Sequence, residues 1–496
     1  MDALELGSNS HVDVNSGTSR RISHDAGVYI FLISFASLYY LLNTPVLLVH
    51  YDLGWHLAAG DLIRERGSIP FQDPWSFTLG NKQWYNLSWL WDVIASITVQ
   101  YTGLAGLVAL TVACGAVIVG TLASICLRSG ASATAVCISV FVACLLYPAF
   151  AAAPNIYLSA SPNTATMLFC VIFYAECLKR TRLWSLPLMM VLWVNLHGGF
   201  MLGFLIVGVF VCAAVFKHEW RAAKILGFAG AGCAVAVFVN PYGWHIYDGV
   251  TATLGHFVQA YITEWQSYYE NITIPDSLPG MAWMLAFIAL ELRFRGSHPV
   301  PLETRLLSWL LLFLGLYQFR YLSFFFLFST VPMALHLDRL LSERRSSSDI
   351  GRALLAVGIA GACALPLAFV QMKPSSELPQ MLSQQDARYL EDHFTHARLL
   401  NHWNVGGNLI YGTRGTVPVF VDGRAATAYP DDLLRDYFKL VKEEVDENAW
   451  DAVLAKYRID AVLWVKAHEQ LRRFLVDKRG WKEAYAGQYE TVYVKP

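Results

Sequence analysis

Charge is what this sequence has least of. Only 15% of its 496 residues are Asp, Glu, Lys or Arg, while 55% are hydrophobic. An ordinary soluble chain carries about 25% charged residues, so the deficit excludes a simple water-soluble globule and points to lipid as solvent. The shortage is uneven, sparse up to about residue 370 and dense beyond it, which marks two kinds of domain. Usable cysteine is also missing. Cys114, Cys126, Cys137, Cys144, Cys170, Cys177, Cys212, Cys233 and Cys363 all fall in apolar runs, so neither a disulfide framework nor a thiolate metal site is suggested. They read as small apolar packing residues. The segment 240–280 holds no Lys or Arg, and no internal repeat or low-complexity tract occurs anywhere.

What is present is a series of long apolar runs. Taken as stretches of roughly 17 to 25 residues, they predict about eleven spans: 28–49, 104–127, 131–149, 162–178, 183–196, 199–216, 224–240, 281–294, 304–319, 322–338 and 352–371. The run from Gly27 to His50 is long for a signal-peptide core and reads as a retained first helix after a polar tail, 1–26. Residues 89–101 (WLWDVIASITVQY) are apolar enough to insert. Counting them as a span breaks the charge pattern downstream, so they read as an interfacial helix with Trp89 and Trp91 at headgroup level, a true span being the alternative.

Positive charge orients the chain. With the N-terminus inside, the cytoplasmic segments hold sixteen Lys and Arg, and the outer loops hold four: Arg64, Arg66, Lys82 and Arg320. That asymmetry is the positive-inside pattern and places the C-terminal region outside. The expected fold is therefore a polytopic α-helical membrane domain over 27–371 followed by a soluble α/β domain over 372–496. In the latter, short apolar runs (NLIYG, PVFVD, DAVLWV, TVYVK) alternate with amphipathic stretches such as DDLLRDYFKLVKEEV.

The first outer loop, within 50–103, is too long for a mere connector and too aromatic to be disordered. Leu57 to Arg66 has helical spacing and is expected to lie along the membrane surface. Asp52 follows the first span by two residues, beside Trp55 and His56. A carboxylate partly desolvated there gains basicity, which suits a general base for a hydroxyl; the bland alternative is a cap for a helix starting at Leu53. Asp73, in QDPWSFT, reads equally as a turn residue. Asp52, Asp73 and His56 together form a weak candidate set for a divalent cation.

Asn195 and His197 close a short span in WVNLHGGFMLG, and Gly198-Gly199 then break the helix. Polar groups at that depth face a cavity or are tied within a tight hairpin, and both readings stay open. Arg320, the only charge between two apolar runs, suits a phosphate or pyrophosphate group, or snorkels at the interface. The aromatic segments 240–250 and 262–275 suit sugar rings or simply the membrane interface. Asn271-Ile272-Thr273 matches a glycosylation sequon, a tripeptide too common to carry weight. Asp422 and Arg424, in VDGR, read as a strand-to-turn transition in which the two side chains pair.

Taken together, Asp52 with Trp55-His56-Leu57 and Gly60, Pro70 with Asp73-Pro74, Ser76 and Thr78, and Trp84 with Trp89-Leu90 resemble the first outer loop of bacterial multi-pass GT-C glycosyltransferases. Trp193 to Gly199, Asn240-Pro241-Tyr242-Gly243 and Val421-Asp422-Gly423-Arg424 extend the likeness from about residue 28 to the end. The lipid A aminoarabinose and galacturonic acid transferases and the protein O-mannosyltransferases are the relatives it brings to mind. The resemblance implies a polyprenyl-phosphate sugar donor, a site at the outer face of the inner membrane, and Asp52 as base. Several relatives carry a second acidic residue just before the helix that follows the loop. Here that stretch is Tyr85-Asn86-Leu87-Ser88, without a carboxylate, which puts a cation requirement in doubt.

The expectation is thus an inverting transfer from a polyprenyl-phosphate sugar to a lipid, glycan or protein hydroxyl among membrane lipids, with no nucleic acid involved. Asp52 acts as base, and His56, Asp73, Trp84, Asn195, His197 and Arg320 bind substrate, Arg320 and a histidine stabilising the leaving phosphate. A transporter or lipid flippase is a rival, weakened by the missing repeat and by polar residues gathered in one loop rather than at mid-membrane. A non-catalytic partner that keeps the fold is another.

Overall fold

The computed structural model describes residues 27–29, 31–34, 51–80, 82–149, 159–253, 255–271, 278–295, 300–343, 382–441, 444–465, 468–487 and 490–496. The N-terminal tail, most of the expected span 28–49, the whole of 352–371 and most of the sequon lie outside these residues. The helices are α1 (Leu53–Arg66), α2 (Trp89–Arg128), α3 (Ala133–Ala149), α4 (Pro162–Lys179), α5 (Ser185–Leu196), α6 (Met201–Phe216), α7 (Trp220–Ala236), α8 (Leu278–Arg293), α9 (Leu302–Tyr317) and α10 (Leu322–Glu343). This is an α-helical membrane protein. Among the described residues three helical stretches are long and apolar enough to cross a membrane: Trp89–Arg128, Gly198–Phe216 and Phe319–Glu343. Among the described residues the expected count of about eleven is not reached by that measure: α3, α5, α7, α8 and α9 have 17, 12, 17, 16 and 16 residues, and most of 28–49 and all of 352–371 lie outside them.

Helix α2 is two helices in one. Gly103, at φ 66° and ψ −171°, interrupts it between the expected interfacial stretch and the expected span, a conformation open to glycine. Trp89 and Trp91 both have partners within the protein. Trp89 Nε1 donates to Asn195 Oδ1 over 2.8 Å, and Trp91 is buried with Leu53 and Leu57. In the helical bundle, Trp193 lies between Phe169 and Phe173, with ring centroids 5.5 and 5.2 Å away.

Beyond residue 382 the chain forms α11 (Gln384–Phe394), α12 (Trp403–Gly412), α13 (Asp431–Leu440) and α14 (Glu447–Lys456) around a sheet of β1 (Leu399–Asn401), β2 (Ala461–Val465), β3 (Lys482–Ala486) and β4 (Glu490–Val494). The order is β1-β2-β4-β3, with β1 parallel to β2 and the other pairs antiparallel. Ser383 and Asp446 cap α11 and α14 by accepting from backbone N–H groups, as such residues commonly do. DAVLWV and TVYVK supply β2 and β4. NLIYG lies instead in α12, and PVFVD leaves the sheet to pair with the first loop: Val419 N–H donates to Trp75 O over 3.0 Å and Phe77 N–H to Val419 O over 3.3 Å. Asn401, fully buried, holds the same run by its amide, donating to Val421 O and accepting from Phe420 N–H at 2.7 Å each.

The first loop and the C-terminal region consequently share one hydrophobic core, in which Trp55, Trp75 and Trp84 pack with Val419, Phe420 and Tyr437. Helix α1, expected on the membrane surface, is clamped between two partners. A side chain at Gly54 would meet Gly407 O of α12 at 2.3 Å, and one at Gly60 would meet Asp92 O of α2 at 2.1 Å. Backbones approach that closely only where both sides lack bulk.

Candidate functional site

A cavity of about 510 Å³ opens where α1, the loop end 84–88, the α5–α6 turn, the α9–α10 turn and the C-terminal VDGR turn converge. Asp52, His56, Trp84, His197 and Arg320, far apart in sequence, all line it, with Tyr85, Glu264 and Trp265. Asp73 and Asn195 are absent from its lining.

Asp52 stands immediately before α1, yet its side chain makes no capping hydrogen bond. Its carboxyl lies against the VDGR turn. Burial pushes its pKa up to about 6, with Asp422 adding to the rise and nearby His56 pulling the other way. At pH 7 the group is still mostly ionised but far more basic than an ordinary carboxylate, as a general base requires.

His56 lies one turn along α1. Its ring stacks on Trp55 at 3.6 Å between centroids, and its Nδ1 is 2.6 Å from Oδ1 of Asp92. Asp92 is fully buried, and its Oδ2 accepts from Asn86 Nδ2 over 2.8 Å. Sequence reasoning missed Asp92. The search for a second carboxylate stopped at Ser88, and Asp92 sits in the first turn of the following helix, inside WLWDVIASITVQY. The available signal was the lone acid of an otherwise apolar stretch.

Arg424 and Asp73 answer the question of the VDGR turn. The guanidinium is fully buried and bonds Asp73 Oδ1 through Nη1, Asp422 through Nε (2.8 Å) and Nη2 (2.7 Å), and Ser76 Oγ and Tyr429 Oη at 3.2 Å each. Trp75 and Trp84 flank it, each ring centroid 4.9 Å from Cζ. Asp73 Oδ2 meanwhile accepts from Ser76 N–H at 2.7 Å. Burial alone favours a neutral arginine, but Asp422 and Asp73 outweigh it and hold the guanidinium pKa well above its usual range. The turn is thus riveted to the first loop, and Gly423 is delivered onto Asp52.

Arg320 has no such commitments. It occupies a turn between α9 and α10, with Cζ 5.3 Å from the Trp265 ring, and no carboxylate pairs with it among the described residues. Trp265 is held in turn by Glu264, whose Oε1 accepts its indole N–H over 2.8 Å, and the segment is fastened by Phe319 N–H donating to Gln266 O at 2.9 Å. A guanidinium left to a cavity suits a phosphate oxyanion. His197 reaches the cavity with its Nδ1 2.7 Å from Thr166 Oγ1, which also accepts from Trp193 Nε1. Asn195 is spent on structure: it accepts from Trp89 and donates to Val191 O and Val239 O at 2.7 and 2.8 Å.

The cation set expected from Asp52, Asp73 and His56 does not assemble. Asp73 is committed to Arg424, and among the described residues no group of three or more His, Cys, Asp or Glu side chains is placed to hold a metal ion.

The sequence matches no family model and no curated protein. Solved structures do match its fold. The oligosaccharyltransferase AglB of Archaeoglobus fulgidus, in complex with an inhibitory peptide and a dolichol-phosphate, aligns with a TM-score of 0.60 at 12% identity, over 90% of this chain and 71% of that one. The same organism's oligosaccharyltransferase in complex with Zn and sulfate aligns at 0.60 and 12%, over 93% and 72%. ArnT from Cupriavidus metallidurans bound to undecaprenyl phosphate aligns at 0.55 and 13%, over 94% and 98%. These proteins are GT-C glycosyltransferases, and at such identities the likeness shows the fold that the sequence motifs resemble.

Proposed function

We propose that this GT-C-like chain is a glycosyltransferase that moves a sugar from a polyprenyl-phosphate donor to an acceptor hydroxyl at the outer face of the membrane. One observation carries the reading: a single cavity holds a carboxyl of raised basicity, Asp52, and a guanidinium, Arg320, without a carboxylate partner among the described residues, with aromatic walls between. Those are the two charges that a displacement at an anomeric carbon needs. Neighbours in the fold bind dolichol-phosphate or undecaprenyl phosphate, which supports a lipid-phosphate donor here.

In this reading the acceptor oxygen attacks the anomeric carbon and its proton passes to Asp52. The bond from that carbon to the phosphate oxygen breaks, its electron pair leaves with the lipid phosphate, and Arg320 stabilises the charge. A single displacement inverts the anomeric centre. Tyr85 and Trp265 offer faces for the sugar ring, whereas Trp84, expected to bind substrate, is buried against Arg424, Trp55 and Trp75. The charge asymmetry of the loops supports an inner-membrane protein with a cytoplasmic N-terminus and the C-terminal domain outside. The described residues offer no ligand set for a metal ion.

The test is transfer by purified protein in lipid, with a panel of radiolabelled polyprenyl-phosphate sugars and crude membrane acceptors, for wild type and Asp52→Asn. Transfer that falls by orders of magnitude in a folded Asp52→Asn protein supports the reading. Equal transfer by both removes Asp52 as base, and no transfer from any donor moves the assignment to transport or to a silent partner.

A further inference from the structure

Asp92 is a buried carboxylate at the cavity that the proposed transfer does not use. Asp92 is fully inaccessible, carried on α2 at the point where α1 and α2 touch backbone to backbone through Gly60. Both its oxygens are engaged by residues that line the cavity. Oδ1 meets His56 Nδ1 at 2.6 Å, and Oδ2 accepts from Asn86 Nδ2 at 2.8 Å. Asn86 is itself locked, its Oδ1 accepting from Ser88 N–H (3.1 Å) and Ser88 Oγ (3.2 Å), and its backbone N–H donating to Tyr242 Oη (2.9 Å). An arrangement needed only to join two helices is served as well by apolar packing, which avoids burying a charge.

The hydrogen bonding assigns the ring's proton. With Asp92 ionised its carboxylate only accepts, so His56 Nδ1 carries the hydrogen of this pair, and in the neutral imidazole Nε2 then keeps its lone pair. Nε2 makes no hydrogen bond among the described residues, and the ring lines the cavity one helical turn from Asp52. The stack on Trp55 and the bond to Asp92 remove its freedom to turn.

We propose that Asp92 is a positioning residue that acts through His56, presenting Nε2 to the cavity as a hydrogen-bond acceptor for one hydroxyl of the transferred sugar. The pair then selects for a sugar that carries that hydroxyl, since a site built around a polar group rejects the analogue that leaves it unpaired. The inference rests on the proposed function, and names a specificity determinant within the same site.

The experiment pairs substrate with protein. With the donor found active above, each mono-deoxy analogue is assayed on wild type, Asp92→Asn, His56→Ala and the double variant, folding being checked by size exclusion and thermal melting. For one analogue, kcat/KM in wild type is expected to fall by ~10²-fold or more. The same analogue should lose less than about tenfold in either single variant, and the double variant should behave as the singles do, because Asp92 works only through His56. Equal losses in wild type and variants for every analogue overturn the inference while leaving the transferase reading intact. So does a double variant whose losses add. Absence of transfer from every donor overturns both. If Asp92→Asn does not fold, His56→Ala alone decides: an undiminished penalty for every deoxy donor refutes the role of the ring.

Discussion

Replacing Gly423 by alanine tests whether the C-terminal turn sets the position of Asp52, the proposed base. A Cβ built there lies 1.6 Å from Asp52 Oδ1 and 2.8 Å from Cγ, whereas ordinary contact begins near 3.4 Å. The carboxyl oxygen and the new methyl must therefore separate by 3.4 − 1.6 = 1.8 Å. Neither side yields readily. Helix α1 is backed against Gly407 on one face and Asp92 on another, and the VDGR turn is held by the buried bonds of Arg424. Gly423 is not among the glycines with positive φ, so no backbone strain accompanies the change. A 1 Å misplacement of a catalytic group costs about 10²-fold. Gly423→Ala is thus expected to lower kcat by at least ~10²-fold, with a smaller effect on donor KM. Gly208→Ala, where a Cβ meets nothing within 4 Å, should transfer at the wild-type rate. The assay is single-turnover sugar transfer alongside a melting curve. A folded Gly423→Ala protein within about threefold of wild type refutes the claim that this turn fixes Asp52.

Four further outcomes follow from the same geometry. With the Asp52 carboxyl at about 6, kcat/KM should climb with pH through a midpoint near 6 and fall below it, because only the ionised form is a base; the rising limb should vanish in any residual activity of Asp52→Asn. The stability effect has the opposite sense. A folded-state pKa raised above 3.8 gives stability that is present at low pH and lost as pH rises through 6, so at pH 7 Asp52→Asn should melt above wild type, by at most about 3 kcal/mol in stability. Arg424→Ala strands Asp73 and Asp422, whose side chains are wholly buried, and should cost about 3–5 kcal/mol, read as a lower melting temperature and faster proteolysis between the first loop and the C-terminal region. Arg320→Lys keeps the charge but loses the fork, so donor KM should rise by ~10-fold with the melting temperature unchanged; an unchanged KM removes Arg320 from the phosphate.

Much of the architecture was legible because lipid imposes a crude rule. A helix in hydrocarbon must be apolar along its length, so runs such as 199–216 and 322–338 announce their helices within a few residues. The local chemistry of the first loop was legible too, since Asp52, Trp55 and His56 are neighbours in sequence and share one end of a helix. The α/β pattern was readable in β2 and β4, where β-branched and aromatic residues alternate, but NLIYG obeyed its surroundings and became helix.

Partnership across long separations was not legible. Asp73 looked like a ligand and became the counter-ion of Arg424, 351 positions away. Asn195 looked like a cavity residue and became a tie to Trp89. Asp92, the lone acid of an otherwise apolar stretch, is the partner of His56. A residue type states what a side chain is able to bond, and an apolar run states where its helix is stable. Which donor meets which acceptor depends on how helices and turns dock, and docking here is governed by close approaches at Gly54, Gly60, Gly407 and Gly423 that no local pattern encodes. Composition and periodicity therefore settled the solvent and the elements, while tertiary packing chose the members of the site, because burial makes each polar group find a partner and only the folded chain determines which one is near.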